Sequence, residues 1–227
     1  AQWLGTTGGT GDQRAATKIT VKAGKVTSAP KVKLDKAGTV TGTVTTADGK
    51  TVPHGDASLS AWDYGAGGNG ARLDRLGRYK LDGLGPYRWP LVFTTQQGRQ
   101  WSGGKGNRYA ATTVQVNAGE TVTHNEVIGQ QAALAGKVRV RTGAIVDGFL
   151  TAYTVSTGDQ IGDSWFFADG RFSLLIPGGE RVKIEYYVRT GKRDELTGWH
   201  DRASTFEKAK VVEVPATGAA TLDLTAG

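Results

Sequence analysis

Apolar and polar residues alternate along most of this chain, in runs too short for helices. In "KITVK", Ile19 and Val21 alternate with Lys18, Thr20 and Lys22. In "GRYKLDGL", Tyr79 and Leu81 alternate with Arg78, Lys80 and Asp82; in "GRFSLLIP", Phe172 and Leu174 do the same. A period of two predicts half-buried strands, with one face in a core and one in water. Gly, Asp, Asn or Pro breaks the runs about every 8–12 residues, the rhythm of an antiparallel β-sandwich. Glycines such as Gly77 and Gly170 stand where tight turns need positive φ. No segment has a sustained helical period, although "KRDELTGW" from Lys192 has the composition for one turn.

The pattern also repeats on a longer scale. Trp3, Trp101 and Trp199 are spaced by 98 and 98 residues. Each opens a related stretch: "QWLGTTGG", "QWSGGKGN" and "GWHDRAS". Each then leads to a strand–turn–strand unit: "RAATKITVKAGKVTS" from Arg14, "RYAATTVQVNAGETVT" from Arg108 and "EKAKVVEVPATGAAT" from Glu207. The other half of the unit repeats as well. "GTVTGTVTTADGK" at Gly38 matches "AALAGKVRVRTGA" at Ala132, and residues 75–93 match 168–186 without a gap. A period near 95 residues is the size of a small domain rather than a solenoid turn. The expected organisation is therefore half a repeat at 1–36, a full repeat at 37–131 and a second full repeat at 132–227. The half repeat poses a separate problem, because two or three strands alone leave open edges. It is either the C-terminal half of an upstream repeat, or a segment that completes a neighbouring sheet in cis or in trans.

These motifs resemble the carboxypeptidase-regulatory-like, or prealbumin-like, repeat. The resemblance runs through "GTVTGTV", "DGK", "GRYKLDGL", the "W-x-G-G" turn and "AATTVQVNAGETVT". It is similar to copies found in tandem in large secreted or surface proteins of actinobacteria. The resemblance implies an all-β fold of seven-stranded antiparallel sandwiches, Ig-like in layering and strung like beads. It implies a secreted or cell-surface setting and no catalytic residue. Such modules act as spacers, stalks or adhesion segments, with neighbouring repeats of the same chain as their first partners.

Composition narrows the chemistry. Cys and Met are both absent from the 227 residues, which removes disulfides and thiolate sites. No apolar run approaches the roughly 20 residues of a spanning helix, so no membrane insertion is expected. The net charge of +7 is concentrated in residues 1–36, which carry +5. There, in "KITVK" and "KVKL", Lys18, Lys22, Lys31 and Lys33 alternate with Ile19, Val21, Val32 and Leu34 and read as the solvated face of strands, and nucleic acid is not expected as a partner. His54, His124 and His200 have no ligand spacing, so no metal is expected. No Ser lies in a nucleophile elbow and no two carboxylates are paired by motif, so neither an enzyme nor a cofactor is predicted.

Two groups of residues stand out as candidate sites. Trp62 and Tyr64 lie in the Gly-rich "WDYGAGGNGARL", and Trp101 and Trp199 open repeated loops. Exposed, these rings would form a carbohydrate-binding surface for cell-wall or other extracellular polysaccharide, or an anchor for a surface protein. Buried, they cover one end of a sandwich. The second group is Lys137, Asp223 and Glu185. First and last strands of a sandwich can be joined by a Lys–Asp amide, and these three have the residue types for it.

Overall fold

The computed structural model describes residues 1–59, 70–191 and 194–227. The chain is all-β. The strands are, in order, β1 (Trp3–Leu4), β2 (Gly9–Thr10), β3 (Gly38–Thr46), β4 (Gly55–Ser58), β5 (Gly70–Arg72), β6 (Arg78–Leu84) and β7 (Arg88–Trp89). Then come β8 (Val92–Thr95), β9 (Gly98–Trp101), β10 (Val114–Gln115), β11 (Thr121–Thr123), β12 (Glu126–Ile128), β13 (Gln131–Val140) and β14 (Ile145–Thr154). The last seven are β15 (Gln160–Phe167), β16 (Arg171–Pro177), β17 (Arg181–Thr190), β18 (Glu195–Trp199), β19 (Val212–Glu213), β20 (Ala219–Thr221) and β21 (Leu224–Ala226).

Two sandwiches are built with the same pairings. In the first, β3 pairs antiparallel with β6 and parallel with β11 and β12; the facing sheet has the order β5-β4-β8-β9. In the second, β13 pairs antiparallel with β16 and parallel with β20 and β21; the facing sheet has the order β15-β14-β17-β18. The alternation seen in the sequence sets the inner faces. Tyr79 and Leu81 are buried in the first core, and Phe172 and Leu174 in the second. Gly77 and Gly170 turn at φ 71° and 69°. Closing the parallel pair also demands a glycine inside the first strand of each sandwich. A Cβ on Gly42 would overlap the carbonyl oxygen of His124, and one on Gly136 that of Leu222.

Two expectations are corrected. Residues 192–199 hold no helical turn among the described residues; Glu195–Trp199 is the edge strand β18. The N-terminal "KITVK" and "KVKL" form no strands. Ile19, Val21, Val32 and Leu34 are exposed, because no sheet stands beside them. The N-terminal segment is tied down at its two ends, which also bond to each other through Gln2 with Lys33 and Asp35. Gly85 N donates to Ala1 O at 2.8 Å, and Tyr87 OH bonds to Asp35.

Candidate functional site: the junction between the sandwiches

The loop that follows β9 is shaped by Gly103 and Gly104, both left-handed at φ 77° and 70°. Their amides donate to the buried carboxylate of Glu126 at 3.0 and 3.3 Å, and Gln100 Nε2 donates to it at 2.6 Å. Consecutive backbone N–H groups in such a turn form a nest for an anion. Glu126 thus fixes the loop to the last strand of its own sandwich.

The loop presents its other side to the second sandwich. Trp101 and Val92 are each only 1% exposed, and they pack in the second sandwich's hydrophobic cluster with Leu134, Ile161 and Ile176. Around these apolar groups lie two charged contacts. Arg108 donates from its backbone N to Asp159 Oδ2 at 3.0 Å and from Nε to Oδ1 at 2.8 Å. The Asp159 side chain is fully buried, and the Arg108 guanidinium also lies over the Trp101 ring at 5.8 Å. Arg99, itself 3% exposed, reaches Asp163 at 3.5 Å. Burial pushes the Glu180 carboxyl above its ordinary range where it lies against Gly106. Ion pairs buried in this way hold geometry, since removing one partner strands a charge in the interior.

The Trp3 loop sits on the first sandwich in a related way. Tyr87 and Glu180 occupy the same position in the ungapped match, and each lies against a glycine of the preceding Trp loop, Gly9 and Gly106. Between the Trp3 loop and the first sandwich is an open cleft of about 790 Å³, lined by Trp3, Arg14, Leu59, Trp89, Arg108 and Tyr109 among others. Arg14 covers the Tyr109 ring at 4.4 Å.

Among the described residues, the predicted site residues are not brought together. Trp62 and Tyr64 lie outside the described residues. Trp101 cannot serve as a sugar platform, because the second sandwich covers it. Trp199 is half-buried, between Tyr153 at 5.4 Å and Phe206 at 5.4 Å. The amide crosslink is corrected too. Lys137 is exposed, and only its backbone N donates to Asp223 Oδ1, at 3.0 Å. Asp223 is paired with Arg139 at 2.9 Å, and Glu185 lies in the opposite sheet, where it accepts from Tyr153 OH at 2.9 Å. Condensation needs all three in one dry pocket. Strand alternation turns Lys137 to solvent and puts Glu185 on the outer side of its sheet. No group of three or more His, Asp or Glu among the described residues is placed to hold a metal ion. No helix there is long and apolar enough to cross a membrane.

One aromatic cluster was missed in the sequence. On the outer face of the second sandwich, Phe149 stacks on Tyr187 at 5.2 Å and meets Trp165 at 5.3 Å. Trp165 and Phe167 are 64% and 69% exposed. Ala57 pairs with Phe93 as Leu150 pairs with Tyr186, so the same sites in the first sandwich hold Asp56, Arg72, Asp74 and Thr94. The fold therefore does not require rings there. The alternation of Trp165 and Phe167 around buried Phe166 was the available signal.

No family model matches the chain. No curated protein matches it either. Solved structures similar to it include the minor pilin GBS52 of Streptococcus agalactiae, at 10% identity and TM-score 0.32, covering 85% of this chain and 95% of that one. The Bacillus anthracis TIE protein is similar at 11% identity and TM-score 0.31, covering 85% of this chain and 34% of that one. The shaft pilin spaA of Lactobacillus rhamnosus GG is similar at 9% identity and TM-score 0.30, covering 84% and 97%. The chain spans about a third of the length of the Bacillus anthracis protein. Likeness at this level says nothing of what the chain does, and the functional reading rests on its own geometry.

Proposed function

We propose that this chain is a non-catalytic structural segment of an extracellular or cell-surface array, in which sandwiches are locked in series. Residues 37–131 and 132–227 are its units, and 1–36 belongs to a further unit. The resemblance to carboxypeptidase-regulatory-like repeats is part of this reading. The observation that carries it is the junction. A flexible tether would leave Trp101 and Asp159 in water, whereas here the ring, Arg99 and Asp159 are all buried between the units. Inter-domain contacts of this kind restrict relative motion, as a spacer or stalk requires.

The test is small-angle scattering on the full chain, with Trp101→Ala and Arg108→Ala beside it. The expected result is one fixed maximum dimension for the parent and a longer, flexible profile for the variants while circular dichroism stays β-rich. Scattering that is already flexible in the parent sinks the locked array.

The aromatic face favours a second reading, an adhesive surface for extracellular polysaccharide carried by the second unit. Its support is the fourfold exchange of polar residues for rings at matched positions. Retention on insoluble polysaccharides is expected to fall at least about fivefold in Trp165→Ala, since an exposed ring contact is worth about 1 kcal/mol or more. Equal retention of parent and variant, or none by either, rejects this reading.

A further inference from the structure

Four apolar positions recur in all three copies of the strand–turn–strand stretch. In the first sandwich they are Val114, Val116, Val122 and Ile128; in the second they are Val212, Val214, Ala220 and Ala226. All eight are buried in, or packed against, their own core. The N-terminal counterparts are Ile19, Val21, Val26 and Val32, with the spacing one residue shorter at the turn. They are 42%, 73%, 99% and 54% exposed. The local turn is nevertheless made: Lys25 N donates to Lys22 O at 3.2 Å, and Gly24 has φ 69° where Gly119 has 76°. The segment thus has the side chains and the turn of a sandwich's closing strands. It lacks the first strand that β3 supplies to β11 and β12, and β13 to β20 and β21. Both sides of β3 and of β13 are already occupied by their own partners, so neither sandwich of this chain has a free first strand to pair with it.

We infer that residues 17–36 are the closing strands of a third sandwich, and that they bind in parallel register to front strands resembling β3–β9 in a unit preceding residue 1 on the same polypeptide. This rests on the array reading. The direction comes from the Trp3 loop, which meets the first sandwich through Ala1 on Gly85 and Gly9 on Tyr87, with Trp3 43% exposed where Trp101 is 1% exposed. That contact puts the missing strands on the preceding side of the series. The exposed lysines at 18, 22, 31 and 33 become the solvated outer face of the completed sheet.

The test extends the full chain with a copy of residues 37–98 ahead of Ala1, the register in which Gly98 precedes Arg99. Amide exchange across 19–32 is expected to slow about a hundredfold or more, as it does when loose strands enter a core. Val21→Asp in the extended chain should restore fast exchange. In the unextended chain, Val21→Asp should leave the melting midpoint unchanged, while Val116→Asp lowers it. Unchanged exchange at 19–32 in the extended chain overturns the inference. So does a loss of stability from Val21→Asp in the unextended chain, which would mean the segment has its partner already. A concentration-dependent dimer of the unextended chain with 19–32 protected also overturns it, in favour of exchange between copies. Scattering from the Trp101 junction reads none of these signals, so the array reading can fail separately.

Discussion

Asp201 and Arg202 show what single residues do in this repeat. They stand 98 residues after Gly103 and Gly104, and keep the left-handed backbone of that pair at φ 63° and 58°. A left-handed conformation costs a non-glycine residue about 1–2 kcal/mol, less for Asp, whose side chain tolerates it. The anchor has gone as well, because Leu224 occupies the place of Glu126. Arg202→Gly is therefore expected to stabilise the second sandwich by about 1 kcal/mol, read from the midpoint of urea unfolding. Conversely, the strand glycines Gly42 and Gly136 permit no side chain at all, since a carbonyl of the parallel neighbour fills the space.

At the scale of elements, the Trp101 and Trp199 loops share a frame but differ in what they hold. The backbone bridges Trp101–Lys105 and Trp199–Ala203 close the same turn. The first of these loops faces another sandwich. The Trp199 loop folds back on its own sheet, where Lys183 Nζ donates to Phe206 O at 2.6 Å and to Glu207 O at 3.0 Å. His200 is caught inside this loop, with its Nδ1 buried and without a partner. Burial, helped by the like charge of Lys210, holds its pKa below the ordinary 6.5. The unfolded chain then binds a proton more readily than the folded one. The stabilising contribution is full above about pH 6.5 and is lost as the pH falls below it. The melting midpoint of the chain should drop between pH 7 and 5, and His200→Gln should flatten that slope. An unchanged slope in the variant would assign the acid response to other groups.

For the whole molecule, the junction decides whether two sandwiches behave as one body. Truncating a buried Trp costs about 3–5 kcal/mol. Because Trp101 belongs to one unit by chain and to the other by packing, that loss should appear in both. Calorimetry on the parent is expected to show coupled unfolding, and Trp101→Ala to separate it into two transitions. This is the thermal counterpart of the scattering experiment, and two transitions in the parent would argue against a locked pair.

The sequence by itself determined the all-β class, the inner faces of the strands and the spacing of the repeated loops. These follow from local alternation and from turn chemistry, both written in neighbouring residues. Tyr79, Leu81, Phe172 and Leu174 point inward as their period requires. What only the tertiary structure decided is which side chains meet across units. The sequence could not show that Trp101 is capped by a second sandwich, nor that Asp159 is buried under Arg108 from 51 residues away. It could not show that Lys137 and Glu185 face away from a common pocket. Nor could it show that "KITVK" stays unpaired, because a strand's pattern specifies a face and not a partner. Pairing depends on whether a sheet edge is there to receive the strand, and that is a property of the assembled fold.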